Sequence, residues 1–389
     1  MSAIPYARQS ISPADIEAVV GVLRSDRLTQ GPEIARFEEG VAGYCGARHA
    51  IAVSNGTAAL HLACLALDLG PGDLLWTSPN TFAASANCAR YCGADVDFVD
   101  IDPRCYNISI TALEDKLKRA SAAGRLPKIL VAVHFGGQSC DMRAIGQLAA
   151  QYGFRVVEDA SHAVGADHRS AKVGACAFSD IAVFSFHPVK ILTTGEGGML
   201  MTNGDAIARR LRLLRTHGIT RDASAMDAEG EGPWYYQQVA LGYNYRMTDI
   251  QAALGSSQLK RVNIFLARRR ELVRRYDDVL QGLPLTTPVE DPLGRSAWHL
   301  YAVQLDLGAL GISRRTVVER MHAAQVLVNV HYIPVHLQPY YRGLGFSKGD
   351  FPASERFYER ALTLPLYYDL TDLEQDRVCT ALRKVLASP

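Results

Sequence analysis

The chain has 389 residues, of which 48% are hydrophobic, and its 41 basic and 40 acidic side chains leave a net charge of +1. That length exceeds one ordinary core and fits two domains. The charge balance argues against a nucleic-acid binder, and no apolar run approaches the roughly 18 residues of a membrane span.

The first ten residues carry no secretory pattern, and the eight cysteines are scattered, as in a cytoplasmic protein with reduced thiols. Ser12, Pro13 and Asp15 open a first helix, with Ile16, Val19, Val20 and Leu23 at helical spacing. A loop at Thr29-Gln30-Gly31-Pro32 leads to a second amphipathic helix. From residue 50 the texture changes: short apolar runs stand at 50–54, 74–77, 96–99, 129–134, 155–158 and 181–184. Helical patterns at 58–67, 83–91, 110–120 and 142–152 separate most of them. Strands alternating with helices predict a parallel sheet covered on both faces, with ligands at the carboxyl ends of the strands.

Residues 220–242 read as a polar loop, followed by one long helical stretch at 247–281 in which Arg268-Arg269-Arg270 form a solvated face. After Pro284 and Pro288 the pattern restarts with a strand at 300–305, a helix from Ser313, a strand at 326–330 and a helix from Thr371. The expected division is an N-terminal segment and large domain over 1–250, then a long linking helix and small domain over 251–389.

Three segments can carry chemistry. Ser54-Asn55-Gly56-Thr57 follows a strand and opens a helix, where unpaired N–H groups and partial positive charge suit a phosphate; it also reads as an ordinary small-residue turn. Glu158-Asp159-Ala160-Ser161-His162 ends a buried strand, where an aspartate can face a protonated ring nitrogen or simply cap backbone. Ser185-Phe186-His187-Pro188-Val189-Lys190 precedes the glycine-rich Thr194-Gly195-Glu196-Gly197-Gly198, which places a lysine in a turn, as a Schiff-base former requires. A cradle, then an acid, then a lysine is the order that a pyridoxal-phosphate (PLP) enzyme needs. No G-x-G-x-x-G follows the first strand, which argues against a nicotinamide enzyme.

With Leu28-Thr29-Gln30-Gly31, Thr81-Phe82 and Gly242-Tyr243-Asn244-Tyr245-Arg246-Met247-Thr248-Asp249, these motifs make the chain resemble the DegT-type nucleotide-sugar aminotransferases over nearly its whole length. The resemblance implies an α/β fold of the aspartate-aminotransferase kind (PLP fold type I): a large domain with a mostly parallel sheet and a smaller C-terminal α/β domain. It implies that Lys190 carries the cofactor, Asp159 holds its ring nitrogen, Phe82 stacks on the ring and His162 sits beside a ring oxygen. Gly56, Thr57 and Ser185 would hold the phosphate, joined by Asn244 of the other subunit of a homodimer.

Tyr6, Asp26, Arg27, Leu28, Thr29, Val330, His331, Tyr332, Ile333 and Tyr341 would line the sugar-nucleotide pocket, with His187 nearby and Arg246 receiving the donor carboxylate. Ile4-Pro5-Tyr6, the 26–29 segment and 330–335 most resemble the branch that transfers an amino group from L-glutamate to C4 of a UDP-linked 4-keto-6-deoxy-N-acetylhexosamine in pseudaminic acid synthesis. Ile333 stands where that branch is expected to carry a lysine. Sibling substrates of the 4-keto-arabinose, perosamine or bacillosamine type remain alternatives, as does an idle regulator on the same fold. A sugar 3-dehydratase of this fold would replace Lys190 with histidine.

Overall fold

Apolar β-branched runs separated by amphipathic helices fold into a seven-stranded sheet. In the computed structural model, which describes residues 2–227 and 230–387, its strands are β1 (His49–Val53), β2 (Leu74–Thr77), β3 (Asp95–Phe98), β4 (Ile129–Val133), β5 (Arg155–Asp159), β6 (Ile181–Ser185) and β7 (Gly198–Thr202). They lie in the order β1-β7-β6-β5-β4-β2-β3. Every neighbouring pair is parallel except those of β7, which runs antiparallel to both β1 and β6. The sequence reading omits β7. It returns from β6 through a turn with no crossover helix, so the strand–helix alternation does not announce it.

The helices of the first 279 residues are α1 (Pro13–Leu23), α2 (Pro32–Cys45), α3 (Gly56–Ala66), α4 (Ala84–Tyr91), α5 (Ile110–Ala122), α6 (Met142–Tyr152), α7 (Asp205–Arg215), α8 (Asp249–Leu259) and α9 (Val262–Val279). Ser12 and Asp15 form a reciprocal capping box on α1. Asp15 is buried and also accepts from Gln258 at 2.8 Å and Arg261 at 2.6 Å, which ties α1 to the α8–α9 junction. The single helix expected at 247–281 is therefore two helices, interrupted at Lys260 and Arg261.

Alternation along the strands fills two faces. Ile51 and Val53 pack with Leu60, Val131, Val183 and Leu200 on one side. Ala50 and Ala52 pack with Phe37, Phe184, Met199 and Met201 on the other. A second core surrounds an antiparallel sheet of β8 (Leu285–Thr286), β9 (Tyr301–Leu305) and β10 (Ala361–Leu364). The helix α9 serves both: Phe265 and Leu266 join the first core, whereas Leu272, Val273 and Tyr276 join the second.

That helix corrects one expectation. Arg268 is paired on the surface with Glu271 and Asp372. Arg269, however, is only 2% exposed. It lies three and four residues from Leu266, Phe265, Leu272 and Val273, so helical periodicity turns it inward with them. The strand expected at 326–330 is also shorter. Val326–Leu327 pairs in parallel with Ile4–Pro5, which brings Tyr6 beside the following segment, and Asn329 makes an isolated antiparallel bridge to Thr363. The expected polar loop at 220–242 holds the short pairing of Ile219–Thr220 with Gln237–Gln238 and includes Ala228 and Glu229, which lie outside the described residues. No helix among the described residues is long and apolar enough to cross a membrane.

Candidate active site

The carboxyl ends of β1, β5 and β6 meet at a cavity of about 1010 Å³. On one side, β1 runs into α3. Asn55 caps that helix by accepting the N–H of Ala58 at 2.8 Å. The first-turn N–H groups of a helix have no helical acceptor, so the opening of α3 presents donors and partial positive charge. A Cβ on Gly56 would stand 3.0 Å from Cβ of Ser185. The missing side chain lets the Ser185 hydroxyl and the helix opening face one anion together.

At the end of β5, the two-residue period separates the two acids. Glu158 turns away from the cavity, where it pairs with His134 at 2.8 Å and accepts from Ser179. Asp159 lines the cavity. One oxygen accepts from Ser85 Oγ at 2.6 Å and the other from the Ser161 N–H at 3.1 Å. Because Ser85 gives its proton to the carboxylate, Thr81 Oγ1, 2.7 Å away, donates to Ser85. The carboxylate is thus held in one orientation by α4 and by its own loop.

Lys190 lies half-buried in the turn after β6, its N–H bonded to the His187 carbonyl at 2.8 Å. Burial pushes its amine down to about 8, with the Asp159 charge acting against that shift. A lysine so poised holds a sizeable neutral fraction near neutral pH. His162, two residues past Ala160, closes the floor. Its Nδ1 accepts the Gly136 N–H at 3.3 Å, so Nε2 carries the hydrogen and donates to the Tyr332 hydroxyl at 3.0 Å. Burial above all, then Lys190, His331 and His134, holds His162 well below the usual histidine range. His331 bonds Thr363 Oγ1 at 2.9 Å and is pushed down to about 4 by burial and Lys190.

Of the residues expected from the sequence, Tyr6, Gly56, Thr57, Phe82, Asp159, His162, Ser185, His187, Lys190, Val330, His331 and Tyr332 line this one cavity. Phe82 is 63% exposed there, its ring 6.4 Å from that of Tyr332. Others lie elsewhere in the chain. Asp26 and Arg27 line a separate groove beside α1 and α8. Leu28 and Thr29 pair with Asp249 and Thr248 by backbone. Asn244 is exposed, Arg246 bridges Val53 through its backbone, and Ile333 faces solvent. Tyr341 is buried against Phe98 and donates to Asn87 at 2.5 Å, because the segment that carries it folds onto the first core.

The cavity also takes residues to which the sequence gives no site role: Asn55, Thr81, Tyr243 and Tyr245, which stand within the quoted motifs, and His61. The tyrosines alternate with exposed Asn244, an extended-chain signal that was legible. His61 follows Thr57 by one helical turn. Ser85 gives no sequence signal; only the packing of α4 brings it to Asp159. Among the described residues no group of histidine, cysteine or carboxylate side chains is placed to hold a metal ion. The donor set fits PLP instead. The cradle made possible by Gly56 suits a phosphate, a fixed carboxylate suits a ring nitrogen, and a half-buried lysine lines the same cavity.

Comparison with known proteins agrees with this. Residues 9–383 match the DegT/DnrJ/EryC1/StrS aminotransferase family. The spore coat polysaccharide biosynthesis protein SpsC of Bacillus subtilis is 40% identical over 386 residues, covering 98% of this chain and 97% of the relative. PseC of Helicobacter pylori, an aminotransferase involved in the biosynthesis of pseudoaminic acid, superposes with a TM-score of 0.90 at 28% identity, covering 100% of both chains. The proposed sugar aminotransferase Spr1654 of Streptococcus pneumoniae, solved in its PLP form, gives a TM-score of 0.88 at 28% identity, covering 99% of both chains.

Proposed function

The chain belongs to the DegT/DnrJ/EryC1/StrS aminotransferase family, and from that premise we propose that it moves an amino group from L-glutamate to C4 of a UDP-linked 4-keto-6-deoxy-N-acetylhexosamine, as pseudaminic acid synthesis requires. At the coarser level it is a PLP-dependent sugar aminotransferase. The observation that carries the reading is the convergence of Lys190, Asp159 and the Gly56–Ser185 cradle on one cavity whose far wall holds Tyr6, His331 and Tyr332. The pseudaminic branch is favoured by the resemblance of Ile4-Pro5-Tyr6 and the 330–335 segment to that branch; the pairing of Ile4–Pro5 with Val326–Leu327 brings the two segments together, with the Tyr6 and His331 ring centroids 5.2 Å apart.

Bound PLP supplies an electron sink that stabilises negative charge on the carbon losing a proton. The rest is the work of the chain. The helix opening at Gly56 and Thr57, with Ser185, binds the phosphate. Asp159, fixed by Ser85 and Ser161, keeps a proton on the ring nitrogen. Phe82 would cover the ring. Lys190 would take a proton from the glutamate Cα and later deliver one to sugar C4. Its pKa near 8 suits both directions at neutral pH.

The active form in this reading is a cytoplasmic homodimer with shared sites. Exposed Asn244, and the 26–29 segment outside this chain's own cavity, are then available to the other subunit. Mixing Lys190→Ala with Asn244→Ala subunits tests this: a shared site regains activity, because one hybrid site combines intact Lys190 with Asn244 of the partner subunit. No recovery would mean that each chain works alone. The substrate is tested by absorbance. L-glutamate should bleach a visible band near roughly 410–430 nm, and the UDP-linked 4-keto sugar should restore it. A band that only a different 4-keto sugar nucleotide restores would keep the aminotransferase and displace the pseudaminic assignment.

A further inference from the structure

Behind the catalytic cavity lies a second layer that the reaction scheme above does not use. Arg269 is a buried cation on α9 that donates to backbone carbonyls. Its Nη1 donates to Leu366 at 2.9 Å, Trp298 at 3.1 Å and His299 at 3.4 Å. Burial pulls its guanidinium down to about 10. Retaining a buried charge is costly, and three-point attachment of two segments is what it achieves. One of them, 296–300, is held from its other side as well: Ala297 N–H bonds Gly137 O at 3.0 Å and Leu300 N–H bonds Gly136 O at 3.1 Å. A Cβ on Gly137 would stand 2.9 Å from Trp298 N, so the two backbones touch.

This clamp places the His299 ring on the His162 ring, with centroids 4.4 Å apart and planes at 45°. His299 is 3% exposed and its Nδ1 has no hydrogen-bond partner, so the ring serves as a packing plate. His162 is therefore met on three sides by Gly136 N–H, the Tyr332 hydroxyl and His299.

We propose that His299, locked by Arg269, is a positioning residue that holds the His162 ring in the orientation from which Nε2–H supports Tyr332 at the cofactor cavity. The proposal rests on the PLP reading of that cavity. The groups facing the stack are Lys190, His331 and His134 towards His162, and Lys190, Arg269 and His331 towards His299. Burial above all, with the positive charges of Lys190 and Arg269, keeps both rings uncharged, and an uncharged ring is what an Nδ1 acceptor and Nε2 donor require.

The test is a double-mutant cycle in the PLP-loaded enzyme. His299→Leu removes the plate, His299→Phe retains it, and His162→Asn removes the group acted upon. Two quantities are read for each variant: the pH midpoint of the visible cofactor band, and kcat/KM. We expect His299→Leu to move the midpoint and lower kcat/KM by about tenfold. His299→Phe should restore both, and His299→Leu should add nothing further in the His162→Asn background. Additive effects, or a folded His299→Leu with unchanged midpoint and kcat/KM, would overturn the proposal. If His299→Leu does not fold, Arg269→Lys carries the same cycle, since lysine keeps the charge but lacks the forked reach. Absence of a visible band in the unmutated protein would instead defeat the PLP reading itself, so the two failures are distinguishable.

Discussion

The wall of the cavity formed by strand ends and the wall formed from the second core do different work. The strand-end wall carries Gly56, Asp159, Ser185 and Lys190, and each is positioned by the strand or turn that bears it. The second wall gathers Tyr6, His331 and Tyr332 from segments more than 300 residues apart in sequence, held by one short parallel pairing and by hydrogen bonds such as His331 to Thr363. In the proposed reading the first wall would bind and activate the cofactor, and the second would recognise what is brought to it. A family of related sugar aminotransferases is what such a division permits.

Substitutions can break or sharpen that contrast. Lys190→Ala carries the largest expected effect: turnover and the visible band both vanish, checked by absorbance and steady-state assay, and survival of either breaks the cofactor assignment. Asp159→Asn should leave a folded protein but lower kcat/KM by roughly a hundredfold or more. It should also move the pH midpoint of PLP uptake by cofactor-free protein below its starting value near 8, because the Asp159 charge holds the Lys190 amine up. An unchanged midpoint in Asp159→Asn would show that the two groups do not communicate. Ser85→Ala removes only a support for that carboxylate, and about a tenfold loss is expected in the same assay.

The smallest effect belongs to the second wall and is read in stability. His331 is held neutral in the folded chain, with its pKa lowered to about 4, whereas the unfolded chain protonates near 6.5. Its contribution is therefore full above about 6.5 and is lost as pH falls towards 4. Thermal melts of the unmutated chain should fall across that window, and His331→Gln should flatten the slope. A slope unchanged by that substitution would place the titration on other groups.

Much of the strand-end wall was legible because its signals are local. A strand, a glycine at the helix opening and a lysine in a turn are short motifs, and the sequence also placed six of the seven strands of the large sheet. The strand β7 escaped because an antiparallel return leaves no helix between strands. Arg269 escaped for a related reason: within Arg268-Arg269-Arg270 the residue types are alike, and only the phase of α9 against two cores buries the middle one. Ser85 and His299 are unmarked in sequence, since each matters only through a neighbour in space.

By itself, then, the sequence determined the α/β class and, through its motifs, the aminotransferase family and its PLP cofactor, and it proposed residues to hold that cofactor, since these signals lie in periodicity and in motifs within single turns. Only the tertiary structure decided which acid faces the cavity, which arginine is buried, and that His299 backs His162. Those outcomes depend on how distant segments pack, and packing free energy is shared among contacts that no single stretch of chain contains.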